Sequence, residues 1–435
     1  MAQWRFLLGL VGVTGLSGAA LTVGCSSDKG STGTPVNMAG AATGGAATGG
    51  APTGGAGGGS AGTATGGSGG ASGPSCTATA AATTVVSPYA ITADTTSGNV
   101  YWSNSSDTDP CSNVIMMQAP GGMPTEIAKV DQSDIDAGST NIAKSLALDS
   151  MGNLYYGAGY SLYRVKTMAG STPTKVGEFD GKPTSIVPTA TRIFTSLDLD
   201  NAVQWRAPDP ANSGCTDPIS RPLPVTGESA AQMTARINGG GCAWAESIAS
   251  LTYESLWLSG NLLVFIDGSN LDAADTTVPA TAQAGHTQIA ATDSFNPISG
   301  MTTIGSKAYF GEATGGIIES ADVPATQPAD AVTTSPKILL TDATLINPSS
   351  FVNDGKSVFF RTGASATDGC AVMQLPAVAG GISPAVAGGG ASGTSTAVQL
   401  AKVDACVKMN LAVGKNVLWY TDRAHNLVKS IPIPQ

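Results

Sequence analysis

The feature that most constrains this chain is a short apolar run, usually aromatic, that recurs seven times. It appears as Val100-Tyr101-Trp102, Leu154-Tyr155-Tyr156, Ile193-Phe194, Leu263-Val264-Phe265, Ala308-Tyr309-Phe310, Val358-Phe359-Phe360 and Leu418-Trp419-Tyr420. A glycine precedes most of the runs: Gly98, Gly152, Gly260, Gly305, Gly355 and Gly414. Glycine there supplies the positive φ of a short hairpin turn. A first strand lies ahead of each turn, as in Ser145 to Asp149 and Met409 to Val413. The stretch from Pro88 to Lys129 displays the whole unit, four short runs separated by turn residues, which is one antiparallel four-stranded sheet.

The second strands are apolar at successive positions rather than alternate ones. A strand buried on both faces reads that way. Four-stranded sheets whose faces are both covered stack around an axis, so the chain is expected to be an all-β β-propeller. The unit recurs about every 50 residues, a spacing usual for propeller blades. The count is about seven four-stranded blades, with six as the other count, because long inserts interrupt the third and fourth units. The last unit ends at its third strand. Thr83-Thr84-Val85-Val86, a β-prone run ahead of the first unit, is expected to supply the missing strand and close the ring.

Three segments are expected: a signal peptide at 1–24, a linker at 25–75 and the propeller at 76–435. Arg5 opens the signal, residues 6–13 form its apolar centre, and the whole is too short and glycine-rich for a membrane span. Residues 30–75 carry no charge and are mostly Gly, Ala, Thr and Ser, a composition that buries no core. As a flexible tether such a length spans on the order of 40 Å. Cys25 leaves six of the seven cysteines, an even number in an exported chain, which predicts disulfides. By repeat register the pairs are Cys215 with Cys242, Cys370 with Cys406, and Cys76 with Cys111.

Charge narrows the partners. Acidic residues outnumber basic ones 31 to 21, and the net charge of −10 disfavours nucleic acid and anionic lipid headgroups. The expected partner is a protein or glycan, with membrane contact through a lipid anchor only. No cofactor, metal site or catalytic residue is expected. The two histidines, His286 and His425, read as exposed loop residues. Asp131, Asp134 and Asp136, and likewise Asp267, Asp272 and Asp275, read as solvated acidic loops that miss calcium-loop spacing. Asp94 and Asp149 recur at the end of a first strand, a place for turn capping. The glycine runs at 239–241 and 388–390 lack the Lys-Ser/Thr of a phosphate loop.

Leu21-Thr22-Val23-Gly24-Cys25 resembles a bacterial lipobox, which implies a diacylglycerol on Cys25; Ser26 after it implies outer-membrane sorting, with the head on the periplasmic or extracellular face. Tyr101-Trp102-Ser103-Asn104 and Trp419-Tyr420-Thr421-Asp422 resemble the Tyr-Trp-Thr-Asp (YWTD) signature of low-density-lipoprotein-receptor type propellers. The first unit is similar to repeats of bacterial lipoproteins with propeller heads. Tyr155-Tyr156-Gly157-Ala158 and Phe194-Thr195-Ser196-Leu197 depart from the signature. The resemblance implies a non-enzymatic binding or scaffold head. The alternative is a metal-dependent hydrolase or lyase similar to gluconolactonases, for which Asp94, Asp149 and Asn410 are the candidates near the axial channel.

Overall fold

Every recurring apolar run is the second strand of an antiparallel sheet. The computed structural model describes residues 84–106, 112–130, 143–179, 182–197, 202–206, 243–246, 255–278, 285–292, 296–332, 335–342, 344–363, 369–376, 397–403 and 409–433. The second strands are Val100–Asn104, Asn153–Ala158, Ile193–Leu197, Leu262–Asp267, Lys307–Glu312, Ser357–Thr362 and Val417–Asp422. Positive φ occurs at Gly98, Gly152, Gly260, Gly305 and Gly355, as the hairpins require. Gly414 differs from expectation. It ends a first strand, and Asn416 takes the left-handed position at φ 57°.

There are seven sheets, so the seven-bladed propeller is the architecture. Six sheets have four strands, and the last has three among the described residues. The first strands are Pro88–Ala93, Ser145–Leu148, Pro183–Pro188, Leu256–Ser259, Ile298–Ile304, Ser349–Asn353 and Leu411–Gly414. Each touches the first strand of the next blade, and the seventh touches the first, so they form a closed inner ring. That cyclic adjacency decides between six blades and seven.

The core is divided by the same rule. Seven apolar clusters lie at the seven junctions between neighbouring blades. Alternate residues of one second strand enter two of them, because side chains in a strand point to opposite faces. Tyr101 packs toward blade 2, whereas Val100 and Trp102 pack toward blade 7. Phe359 packs toward blade 7, whereas Val358 and Phe360 pack toward blade 5. The unbroken hydrophobicity of these strands reflects a blade on each side.

The N-terminal segment closes the ring, with a difference from expectation. Residues 84–87 form no strand ladder among the described residues. Asn104 holds them instead: its Oδ1 accepts from the Val86 N–H at 3.1 Å, and its Nδ2 donates to the Thr84 carbonyl at 2.9 Å. The Ser87 N–H donates to Asn426 Oδ1 at 2.7 Å, and Arg423 Nε donates to Ser87 Oγ at 2.6 Å. Val85 packs on the cluster that joins Trp102 to Trp419. The segment thus bridges first and last blades through side chains.

Cys370, buried at the start of the third strand of blade 6, is disulfide-bonded. Cys406, its expected partner, lies outside the described residues, as do Cys25, Cys76, Cys111, Cys215 and Cys242. The signal peptide, the linker, the acidic loop at 131–136 and both glycine runs also lie outside them.

Candidate functional site

One blade position carries a buried polar side chain in several blades. It is the residue two places beyond the aromatic at the centre of the second strand, at the rim where second strands end. It is Asn104 in blade 1, Asp267 in blade 4, Glu312 in blade 5 and Asp422 in blade 7. Opposite the aromatic, the third strand places a residue on the same face. The pairs are Trp102 with Met116, Phe265 with Asp272, Phe310 with Glu319, and Tyr420 with Lys429. Each blade therefore offers a rim residue and a third-strand residue facing one neighbouring blade.

In blade 7 the pair is an acid and a base. Asp422 is buried, and Lys429 Nζ donates to its Oδ2 at 2.7 Å. His425, in the short turn Arg423–His425, places Nδ1 2.8 Å from Asp422 Oδ1. Burial pushes the Asp422 carboxyl up, but the lysine and histidine hydrogen bonds and charges outweigh it and leave it lowered.

In blades 4 and 5 both members are acids. Asp267 and Asp272 are 6% and 4% exposed. Burial, then the Asp267 charge, pushes Asp272 up to about 7. His286, just ahead of the fourth strand Thr287–Ala291, brings Nε2 to 3.3 Å from Asp272 Oδ2. Its ring meets Phe265 edge-on at 5.8 Å between centroids. One ligand atom each from Asp267, Asp272 and His286 lies within 4.8 Å of the others. Glu312 and Glu319 repeat the acidic pair in blade 5, where burial, then the Glu312 charge and hydrogen bond, pushes Glu319 up to about 7.

These findings correct two expectations. Asp267 and Asp272 are not solvated loop acids; they sit in strands and are buried. His286 is half-buried against them rather than a free loop residue. A signal was present in the sequence: Phe265-Ile266-Asp267 runs parallel to Tyr420-Thr421-Asp422. Counting register from the aromatic would have placed Asp267 at the same rim position. The same count finds Glu312, which spacing alone did not single out.

Other candidates fall where their backbone partners hold them. Asp94 accepts from the Thr96 N–H at 2.8 Å and Ser97 Oγ at 2.6 Å. Asp149 accepts from the Met151 and Asn153 N–H groups at 2.9 and 2.8 Å. Both cap first hairpins, as their recurrence suggested. Asp275 caps the turn after its strand through the Thr277 N–H at 2.8 Å. Asn410 ties blade 7 to blade 1, its Nδ2 donating to the Tyr89 carbonyl at 2.8 Å. Asp94, Asp149 and Asn410 are thus each engaged locally rather than brought together. His425 is exposed, as expected, and turned toward Asp422.

No protein-family model matches the sequence, and no match is found among curated proteins. Several solved structures are similar at low identity. Virginiamycin B lyase from Staphylococcus aureus is similar at 12% identity and a TM-score of 0.48, over 80% of this chain and 95% of that one. The WD40 propeller domain of Doa1 is similar at 8% identity and 0.46, over 80% and 93%. A chain of a nidogen/laminin complex is similar at 11% identity and 0.35, over 58% and 85%. Likenesses this distant carry no functional argument; the seven-bladed ring stands on this chain's own strand pairing.

Proposed function

We propose that this chain is an exported lipoprotein whose propeller serves as a non-enzymatic binding head. Cys25 carries the lipid, the 25–75 linker, uncharged from residue 30 onward, gives reach, and the rim where second strands end receives the partner. One observation carries the reading. The scaffold positions of the blades repeat, with buried second strands and glycine hairpins, while the rim position does not: it is Asn104, Ala158, Asp267, Glu312, Thr362 and Asp422 in blades 1, 2, 4, 5, 6 and 7. A repeating frame whose rim position changes from blade to blade, and so shapes the rim differently in each, supports recognition of one partner in one orientation.

The test uses the full chain in its own cells. The parent is expected in the detergent phase of membrane fractions, and Cys25→Ala in the aqueous phase. Cross-linking should capture a partner that Ala424→Arg, on the exposed rim turn of blade 7, loses. Lys415→Ala, on the opposite rim of the same blade, should retain it. Equal capture by both variants would count against the rim, and equal partitioning of parent and Cys25→Ala against the anchor.

A further inference from the structure

We propose that Asp267, Asp272 and His286 form a binding site in blade 4 for a divalent transition-metal ion of the zinc class. The three side chains come from three elements: the end of the second strand, the interior of the third strand Asn270–Asp275, and the residue leading into the fourth. The register described above puts both carboxylates on the face that carries Phe265. Phe265, packed edge-on against the imidazole, orients the ring whose Nε2 meets Asp272.

The geometry suits one ion. The ligand atoms of the three side chains lie within 4.8 Å of one another, and coordination at about 2.1 Å draws such atoms to within about 4.2 Å. The 3.3 Å between His286 Nε2 and Asp272 Oδ2, with each about 2.1 Å from a shared ion, subtends roughly 100°, near the tetrahedral value. Three protein ligands leave a fourth position open, for water or for a group on a partner. An imidazole with two carboxylates suits zinc and its neighbours, whereas calcium and magnesium take oxygen ligands throughout.

A second observation points to a ligand independently of the cluster. The Asp272 side chain is 5% exposed, and its Oδ1 has no hydrogen-bond partner among the described residues. A buried carboxylate oxygen left in that state costs free energy that a coordinated cation offsets. Blade 7 supplies the internal comparison. There Lys429 occupies the register of Asp272, and its ammonium sits 2.7 Å from Asp422. Blade 7 brings its own cation to the cradle; blade 4 replaces that lysine with a second acid, and its histidine comes from the lead into the fourth strand where that of blade 7 comes from the rim turn.

The test is calorimetric titration of ZnCl2 into the purified full chain, without a histidine tag and after dialysis against a chelator, with metal content counted by emission spectrometry. One zinc per chain is expected. His286→Gln and Asp272→Asn should each weaken binding by about tenfold or more. Glu319→Gln, in the acidic pair of blade 5, should leave zinc affinity unchanged. The half-buried His286 carries the test by itself where Asp272→Asn does not fold. Failure to bind zinc stoichiometrically, parental affinity in His286→Gln, or calcium binding as tight as zinc would each overturn the proposal. The titration needs no partner, so its outcome is separate from that of the cross-linking experiment.

Discussion

Glu319 shows how a neighbouring blade changes one residue. It faces Glu312 across the second and third strands of blade 5, and burial, then the Glu312 charge, raises its carboxyl from 4.5 to about 7. Between those values the folded chain holds a proton that the unfolded chain has released. Stability therefore falls as pH rises through that window. Glu319→Gln keeps the shape and hydrogen-bonding capacity without the charge. By calorimetry the parent should lose more thermal stability than the variant between pH 5 and pH 8. At pH 8 the variant should melt higher by on the order of a few degrees. Parallel pH profiles would show that the pair is not strained by its burial. Asp422 has the opposite sign. Its lowered carboxyl stabilises the fold above the ordinary carboxylate range and loses that contribution as acid protonates it, so the two groups act in different pH windows.

At the scale of the element, the second strand is where a blade meets both neighbours, and its glycines mark the tightest approach. A Cβ built on Gly311 would lie 2.7 Å from Pro348 Cγ and 2.8 Å from Phe351 Cζ, both in the next blade. On Gly157 it would lie 2.5 Å from Pro183 Cβ, again in the next blade. Both glycines directly follow the central aromatic, so the first strand of the next blade docks there. Gly311→Ala should force blades 5 and 6 apart and cost about 1–3 kcal/mol in denaturant unfolding. A cost near zero would mean that the junction yields freely. The strands themselves were legible because their two-sided burial is written locally: Val358-Phe359-Phe360 can only be covered on both faces. Asp267, Asp272 and Glu319 were not, because a charged residue next to a turn has the same local pattern whether or not another blade covers it. The acid was visible; its burial belongs to the stacking of sheets distant in sequence. Gly414 failed for a smaller reason, since Asn416 also tolerates the left-handed conformation.

For the whole molecule, the seam between blade 7 and blade 1 decides whether seven sheets behave as one unit. Every other junction joins blades that the chain already connects, whereas this one must be held by contacts between the two ends of the domain. Asn410 reaches the Tyr89 carbonyl, Arg423 lies 5.3 Å from the Tyr89 ring and donates to Ser87, and Trp102 and Trp419 share one cluster. Asn104 anchors the arrangement from the blade 1 side. Its Oδ1 accepts from both the Val86 N–H and Trp102 Nε1, the latter at 3.0 Å, while its amide holds the Thr84 carbonyl. Asn104→Ala deletes one side chain and leaves the indole N–H without its acceptor in a buried site, at a cost of roughly 1–3 kcal/mol. The loss should first appear locally. Hydrogen exchange should quicken in residues 84–91 and 409–433, with the strands of blade 4, on the far side of the ring, changing least. Were exchange to rise equally in blade 4, the ring would open as a whole and the seam would be no weaker than the junctions joined by the chain. A confined rise would show that the N-terminal segment acts as a latch, and that the propeller's cooperativity depends on four residues that belong to no strand.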